Sequence, residues 1–252
     1  MKKTAFITGA SSGIGRATAV ALAAAGYQLV ITGRRRERLD ELVQELAEKS
    51  PPTPTHVLTF DVRARAAVDA AVAALPAEFG QIDVLINNAG NAHGLSPIQE
   101  GDPADWDAML DGNVKGLLYV SRAVLPLMGE GGFIVNIGSI AGHEAYANGN
   151  VYCASKAAVA MLTRGMRLDL LPRGIRVAEV NPGLVETEFS QVRFKGDEAR
   201  AAGVYQGLQA LRAEDVAELI QFMVTRPPHV QIAEVLILPS AQAAATAVRR
   251  AS

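Results

Sequence analysis

The stretch TGASSGIGR, residues 8–16, decides the fold of this chain. It follows the short apolar run AFIT at 5–8 and precedes an alanine-rich stretch with helical spacing. Its glycines permit a tight turn and let the backbone approach a ligand, and the free N–H groups that open a helix favour a pyrophosphate. A glycine turn alone is weak evidence. Its place between a first strand and a first helix predicts a strand–turn–helix unit that binds a nucleotide.

Short apolar runs and longer helical stretches alternate along the rest of the chain. The runs lie at 5–8, 28–32, 56–60, 84–87, 132–137, 176–180 and 234–238, and the helical stretches at 15–25, 36–49, 64–79, 106–128, 151–171 and 213–225. Because the runs are apolar throughout, they are typical of central parallel strands. The pattern predicts one α/β domain over 1–252 with a Rossmann-type doubly wound parallel sheet. The segment 183–210 lacks a clean period and is expected to cover the substrate site as a lid.

Composition narrows the class of partner. The chain has 24 Lys and Arg against 26 Asp and Glu, so nucleic acid and membrane surfaces are not expected as partners. Small molecules and copies of the same chain remain as expected partners. The single cysteine, Cys153, excludes an intramolecular disulfide and fits a cytoplasmic protein. His93 and His143 are isolated in the sequence, so no metal site is expected.

An arginine cluster ends the second apolar run, in VITGRRRERL at 30–39. Dinucleotide folds commonly place an acidic residue here to hold the adenosine ribose diol. A carboxylate repels a 2′-phosphate, whereas a guanidinium can bind it with two hydrogen bonds. A solvated helix start is the alternative, but basic residues are slightly unfavourable there. We therefore assign phosphate contacts to Arg34 and Arg35, expect Arg36 and Arg38 to be solvated, and predict NADP rather than NAD.

A second cluster of polar residues follows the fifth apolar run. Tyr152 and Lys156 stand four apart on a predicted helix and therefore share one face, and a loop could bring Ser139 opposite them. A tyrosine can donate a proton to a carbonyl under reduction. An ammonium about 4 Å away contributes roughly 4 kcal/mol at an effective dielectric of 20, so Lys156 is expected to lower the pKa of Tyr152 by about three units before desolvation. Cys153 is turned by about 100° from that face and is expected to pack in the core.

With these residues in place, the sequence resembles the short-chain dehydrogenase/reductase family across nearly its full length. The resemblance is carried by TGASSGIG at 8–15, DV at 61–62, NNAG at 87–90, Asn113, Ser139, YCASK at 152–156 and NPG at 181–183. Within the family, GLVETEFSQVRFKGD at 183–197 and TRPPHVQIAEVLILPSAQA at 225–243 look like the NADP-dependent 3-hydroxy acid dehydrogenases, also called serine or allo-threonine dehydrogenases.

The resemblance implies an enzyme that moves a hydride between NADP and a small 3-hydroxy acid or the matching semialdehyde or ketone. It implies that Ser139 and Tyr152 bind the substrate oxygen, that Lys156 also holds the nicotinamide ribose, and that Asn113 supports a water-linked proton relay. A homotetramer is expected. The cofactor contacts that it implies, besides Tyr152 and Lys156, are Gly9, Ser11, Ser12, Gly13, Ile14, Gly15, Asp61, Val62, Asn88, Ala89, Gly90, Pro182, Gly183, Val185 and Thr187.

Other functions stay open at this point. A 3-ketoacyl-carrier-protein reductase would share the catalytic residues, although LILPSAQ at 236–242 departs from the glycine-rich end usual in that group. A general carbonyl reductase and a non-catalytic NADP sensor are the remaining alternatives. A 3-hydroxy acid brings a carboxylate that must meet a positive group once water is excluded. The segment 183–210 offers Arg193 and Lys195; both could be solvated, but the planar guanidinium suits a carboxylate better, so Arg193 is predicted to bind it.

Overall fold

The computed structural model describes residues 2–48 and 52–251. Its strands are β1 (Thr4–Ile7), β2 (Gln28–Gly33), β3 (Thr55–Thr59), β4 (Val84–Asn87), β5 (Phe133–Ile137), β6 (Arg176–Pro182) and β7 (Glu234–Ile237). They form one sheet in the order β3-β2-β1-β4-β5-β6-β7, and every neighbouring pair is parallel. The predicted doubly wound parallel α/β fold is confirmed.

Helices cover both faces of the sheet. They are α1 (Gly13–Ala24), α2 (Arg36–Ala47), α3 (Arg65–Ala73), α4 (Pro103–Leu110), α5 (Gly116–Val124), α6 (Asn150–Leu170), α7 (Phe189–Arg193), α8 (Glu198–Gly203) and α9 (Ala213–Val224). Helices α1, α2 and α9 pack against one face of the sheet, and α3, α5 and α6 pack against the other. The predicted end of the second helix, Lys49, lies outside the described residues. None of the helices described is long and apolar enough to cross a membrane.

Alternate strand residues supply the two cores. In β1 every side chain is buried; Ile7 belongs to the core under α1, and Phe6 to the core under α3 and α5. In β2, Ile31 and Val30 divide between the two cores in the same way. Burying a side chain of this size contributes roughly 1.5–3 kcal/mol. The central strands β1, β4 and β5 are buried along their whole length because helices cover both faces of the sheet there.

Two predicted helices differ from the structure. The one predicted at 64–79 ends at Ala73, and a separate short turn (Ala77–Phe79) follows Pro76, which limits helix continuation. The one predicted from 106 begins at Pro103, because the Asp102 carboxylate accepts a hydrogen bond from the Ala104 N–H at 2.9 Å and caps the helix. A π-helical turn (Asp111–Lys115) then separates α4 from α5. Such turns widen a helix and are frequent at functional sites.

The neighbours β1 and β4 mark the point where the chain changes direction across the sheet. Their carboxyl ends meet: the Thr8 hydroxyl accepts hydrogen bonds from the N–H groups of Asn88 and Ala89 at 3.0 and 2.9 Å. Ligands of open parallel α/β sheets bind in the crevice at this point. The fold therefore brings the glycine turn and the NNAG motif to one crevice.

Candidate active site

A cavity of about 610 Å³ opens at the carboxyl edge of the sheet. That volume is in the range of small-molecule and cofactor sites. Its wall is formed by the glycine turn, the ends of the central strands, the start of α6 and the segment 183–210. Every residue predicted to bind cofactor or substrate lines it, except Gly15 and Asn113.

The glycine turn has backbone angles that residues with a side chain rarely adopt. Gly9 and Gly13 have φ of +68° and +53°, in the left-handed region. The N-cap residue of α1, Ser12, makes no side-chain capping bond within the described part of the chain, and the first turn of α1 carries no acidic residue. Its N–H groups therefore remain available to an anion. Gly15 lies behind this surface, where a Cβ would collide with the Gly9 carbonyl, so it lets the helix approach the turn.

Arg34 and Arg35 lie at the end of β2, beside the glycine turn. Arg35 donates to the Ser12 hydroxyl at 2.9 Å and forms an ion pair with Glu188 at 2.8 Å. The Arg34 guanidinium is more exposed and lies 3.9 Å from the Asp61 carboxylate. Arg36 and Arg38, as expected, lie on the exposed surface, where they pair with Asp40 and Glu41 of α2.

The Asp61 carboxylate lies in the cavity wall beside Arg34. Arg63 donates to it with both its backbone N–H and its guanidinium, and these bonds hold the pKa of Asp61 below its ordinary value. Asp61 is therefore charged at neutral pH and lies beside Arg34 and Arg63, while Arg35 lines the same cavity. Together with the uncapped N–H groups of α1, these cations fit a dinucleotide that carries an additional phosphate.

Ser139, Tyr152 and Lys156 are brought together on the opposite wall. Tyr152 and Lys156 lie one turn apart on α6, and both are buried. Ser139 follows β5, where its hydroxyl accepts a hydrogen bond from the Ala141 N–H at 3.1 Å. The Lys156 ammonium donates to the Ile137 carbonyl at 2.8 Å, which fixes its side chain across the end of β5.

The expected lowering of the pKa of Tyr152 by Lys156 is not found. Burial raises the pKa of Tyr152, and the nearby Tyr146 adds to the rise. The groups that oppose it are the Ser139 hydroxyl and the Arg193 guanidinium. Burial also lowers the pKa of Lys156, to about 8. The expected lowering was given before desolvation, and desolvation outweighs it because burial disfavours the charged forms of both side chains.

Asn113 lies behind the cavity wall, in the π-helical turn. Its amide oxygen accepts from the Asn91 N–H at 2.8 Å, and its amide nitrogen donates to the Asn91 carbonyl at 2.8 Å and the Ser155 hydroxyl at 3.0 Å. It thereby ties the loop after β4 to α6. A Cβ on Gly90 would lie 2.8 Å from the Asn113 oxygen, so Gly90 allows this close packing.

Arg193, at the end of α7, reaches the cavity from the segment 183–210. Its guanidinium carbon lies 5.5 Å from the ring centre of Tyr146 and 5.6 Å from that of Tyr152. Its Nε donates to the Gly94 carbonyl at 3.3 Å, whereas its Nη2 is buried and has no hydrogen-bond partner among the described residues. Lys195 instead points to α4, where it pairs with Asp105 at 3.0 Å. Of the two cations, only Arg193 lines the cavity.

Sequence reasoning missed several residues of the site. Tyr146 and Phe189 line the cavity, and the Phe189 ring centre lies 5.7 Å from that of Tyr152. Gln242, from the last part of the chain, is buried, and its side chain accepts from the Leu184 N–H at 2.9 Å. An isolated aromatic or amide side chain in a loop gives no periodic pattern, so these residues could be identified only from the tertiary structure.

The remaining predictions concern residues outside the reaction centre. Cys153 is buried in the small core beside Tyr152, as expected. His143 lies 3.5 Å from Glu234 and does not line the cavity. Within 2–48 and 52–251, no group of three or more His, Cys, Asp or Glu side chains is arranged to hold a metal ion.

Comparisons with known proteins agree with this geometry. A family model described as short chain dehydrogenase matches residues 3–198. Sulfoacetaldehyde reductase of Chromohalobacter salexigens is 48% identical over 246 residues, which cover 96% of each chain. The NADP-dependent 3-hydroxy acid dehydrogenase YdfG of Escherichia coli is 45% identical over 240 residues, covering 94% of this chain and 95% of that protein.

A solved structure matches the whole fold. The closed form of serine dehydrogenase complexed with NADP+ superposes with a TM-score of 0.90 at 41% identity, covering 99% of this chain and 100% of that one. The family model spans most of the present chain, and both relatives match it over nearly their full lengths. The chain belongs to the short-chain dehydrogenase family.

Proposed function

We propose that the chain is an NADP(H)-dependent oxidoreductase that interconverts a small 3-hydroxy acid and the matching semialdehyde or ketone. The observation that carries this proposal is the buried Nη2 of Arg193, which lies beside Tyr152 and has no hydrogen-bond partner within 2–48 and 52–251. A buried guanidinium nitrogen is costly without an acceptor, and the carboxylate of a small substrate would supply one. The substrate oxygen would then lie near the Tyr152 phenol.

The relatives support this choice of cofactor and substrate. YdfG is named an NADP-dependent 3-hydroxy acid dehydrogenase, and the serine dehydrogenase structure contains NADP+. In the present chain, the N–H groups at the start of α1 would hold the pyrophosphate, and Arg34 and Arg35 the 2′-phosphate. When bound, NADPH supplies the hydride for reduction of the carbonyl.

The chain's own residues would supply the proton and the binding geometry. Tyr152 is the proton donor to the reduced oxygen, since its raised pKa keeps it protonated at neutral pH. Ser139 would donate a hydrogen bond to the same oxygen. Lys156 holds its ammonium at the end of β5 and would bind the nicotinamide ribose. In the oxidative direction, Tyr152 must lose its proton, and the positive charge of Arg193 favours that step.

The segment 183–210 serves as a lid over this site. Backbone and side chain both fasten it to the loop after β4: the Gly94 N–H donates to the Arg193 carbonyl at 2.9 Å, and the Arg193 Nε donates to the Gly94 carbonyl at 3.3 Å. At the other end of α7, Glu188 is paired with Arg35. A lid held at both ends excludes water from the reacting atoms.

A small sulfonate aldehyde is the second candidate substrate. The relative with 48% identity is named sulfoacetaldehyde reductase. A sulfonate, like a carboxylate, is an anion whose oxygens accept hydrogen bonds from guanidinium. Arg193 is therefore expected to serve either substrate.

Turnover with a substrate panel tests the proposal. The panel contains 3-hydroxy acids with NADP+, and sulfoacetaldehyde, an uncharged aldehyde and a ketoacyl thioester with NADPH. We expect the small anions to have the highest kcat/KM. A preference for the thioester would support the ketoacyl reductase reading instead, and NADPH binding without any turnover would support a sensor.

The Tyr152→Phe variant tests the mechanism. It removes only the proton donor, so turnover should fall by at least about 100-fold, the scale of general acid catalysis, while NADPH affinity measured by fluorescence stays close to that of the wild type. Full activity of this variant would contradict the assignment of Tyr152.

The oligomeric state is proposed from exposed apolar side chains, and the cellular location from the single cysteine. Three large apolar side chains of α6 and its end, Met161, Leu168 and Leu171, are well exposed, and Leu110 and Leu118 of the neighbouring helices are partly so. Exposed apolar side chains favour contact with a second copy, and the resemblance to the family sets the number of subunits that we propose, a homotetramer. A cytoplasmic location is proposed from the single buried thiol.

A further inference from the structure

Glu179 of β6 is a buried carboxylate with no part in the mechanism above. Its side chain is 1% exposed, and its Oε1 has no hydrogen-bond partner among the residues the structure describes. A buried carboxylate without a cation is strongly unfavourable. Its place in the sheet indicates which cation it faces.

Glu179 lies next to the end of β5, where Lys156 is anchored. In the sheet it is paired with Asn136, one residue before Ile137, whose carbonyl accepts the Lys156 ammonium. A Cβ on Gly138, the next residue, would collide with the Glu179 carboxylate. Glu179 thus reaches residue 138, and Lys156 reaches the adjacent residue 137. Burial raises the pKa of Glu179 and lowers that of Lys156, and the opposite charge of each side chain opposes the change in the other.

The other charged groups near Glu179 lie toward the surface. Glu234 of β7 is its direct partner across the sheet. The Glu234 carboxylate, one third exposed, pairs with His143 at 3.5 Å and with Arg164 of α6 at 3.4 Å. Arg167 of α6 donates to the backbone carbonyls of Val177 and Ala233. The cations on this outer side therefore have their own acceptors, and Lys156 is the cation on the buried side.

We propose that Glu179 is a positioning residue that keeps Lys156 charged beneath the reaction centre. The inference rests on the proposed catalytic role of Lys156. Burial lowers the pKa of Lys156 to about 8 even though the charge of Glu179 opposes that change. Without that charge the ammonium would lose its proton nearer to neutral pH, and its hydrogen bond to the Ile137 carbonyl would lose its charge assistance.

The Glu179→Gln variant tests the electrostatic coupling without requiring activity. The amide keeps the size of the side chain and removes its charge. The titration of Lys156 is followed by 13C NMR of the lysine ε-carbons in the cofactor-free protein, with the signal assigned from a Lys156→Arg spectrum. We expect the midpoint of Lys156 to fall by about 1 unit, the lower end of the effect of a neighbouring opposite charge. An unchanged midpoint would overturn the proposal.

The pH profile of carbonyl reduction distinguishes this role from a structural one. Reduction needs a protonated Tyr152 and a charged Lys156, so kcat declines as pH rises through the pKa of Lys156. In Glu179→Gln this decline should occur about one pH unit lower, and the two enzymes should converge at acidic pH. A loss by the same factor at every pH would mean that Glu179 only supports the fold. Glu179→Asp, which restores the charge, should recover most of the shift.

A surface variant gives a second test if the buried substitution prevents folding. Glu234→Gln removes a charge that raises the pKa of Glu179, so Glu179 stays ionised and the midpoint of Lys156 should stay constant or rise. A fall in Glu234→Gln as large as that expected for Glu179→Gln would contradict the specific role of Glu179. If Lys156 titrates as expected while no substrate is turned over, the coupling is supported and the proposed function is refuted.

Discussion

Replacing Arg193 by alanine tests how the site selects its substrate. The Arg193 Nη2 is buried and has no hydrogen-bond partner in the described part of the chain, while the Nε donates to the Gly94 carbonyl. One charge-assisted hydrogen bond is thus free for a substrate anion. Such a bond is worth roughly 1.5–3 kcal/mol, which corresponds to a loss of about 10- to 100-fold in kcat/KM for an anionic substrate.

The assay compares an anionic substrate with an uncharged aldehyde of the same length. The comparison matters because Arg193 also lowers the pKa of Tyr152, so its loss changes proton transfer for every substrate. That effect cancels in the ratio of the two kcat/KM values. The lid retains one anchor in the variant, because the Gly94 N–H donates to the backbone carbonyl of residue 193. We expect the ratio to fall by about 10- to 100-fold.

Lys195→Ala is the matched control. Lys195 lies two residues away in the same lid, but it is exposed and pairs with Asp105 and Asp102. Its replacement should leave the ratio unchanged. Equal losses on charged and uncharged substrates in Arg193→Ala would refute the reasoning, because Arg193 would then shape the lid without binding the anion.

Two further outcomes are expected. Replacing both Arg34 and Arg35 by alanine should raise KM for NADP by at least about tenfold, the lower bound for one charge-assisted contact, and should change KM for NAD much less. Steady-state kinetics with both cofactors measures the two KM values. Equal small effects on both would show that the arginines are only solvated. Light scattering at micromolar concentration should show an assembly that Leu168→Glu dissociates, because Leu168 is 74% exposed on α6; a stable wild-type monomer would contradict the proposed tetramer.

Much of the fold could be predicted because its signals are local. The strand-length apolar runs, the glycine turn and the four-residue spacing of Tyr152 and Lys156 all lie within short windows of sequence. Helix ends were less predictable. The start of α4 depended on the Asp102 cap and its end on a π-helical turn around Gly112. Ser139, eleven residues before the start of α6, was predicted from its motif, and the fold places it on the same cavity as Tyr152 and Lys156.

The sequence by itself determined the parallel α/β architecture, the positive end of β2 and the chemical types of the reacting residues. Only the tertiary structure decided how those groups are charged. Burial raises the pKa of Tyr152 and lowers that of Lys156, the opposite of what a solvated pair at close range would give for the tyrosine. Glu179 reads in the sequence as one charged residue in an apolar strand, but in the fold it lies beside the anchor of Lys156. Desolvation and long-range proximity arise only when the chain closes around these side chains, so no local pattern encodes them.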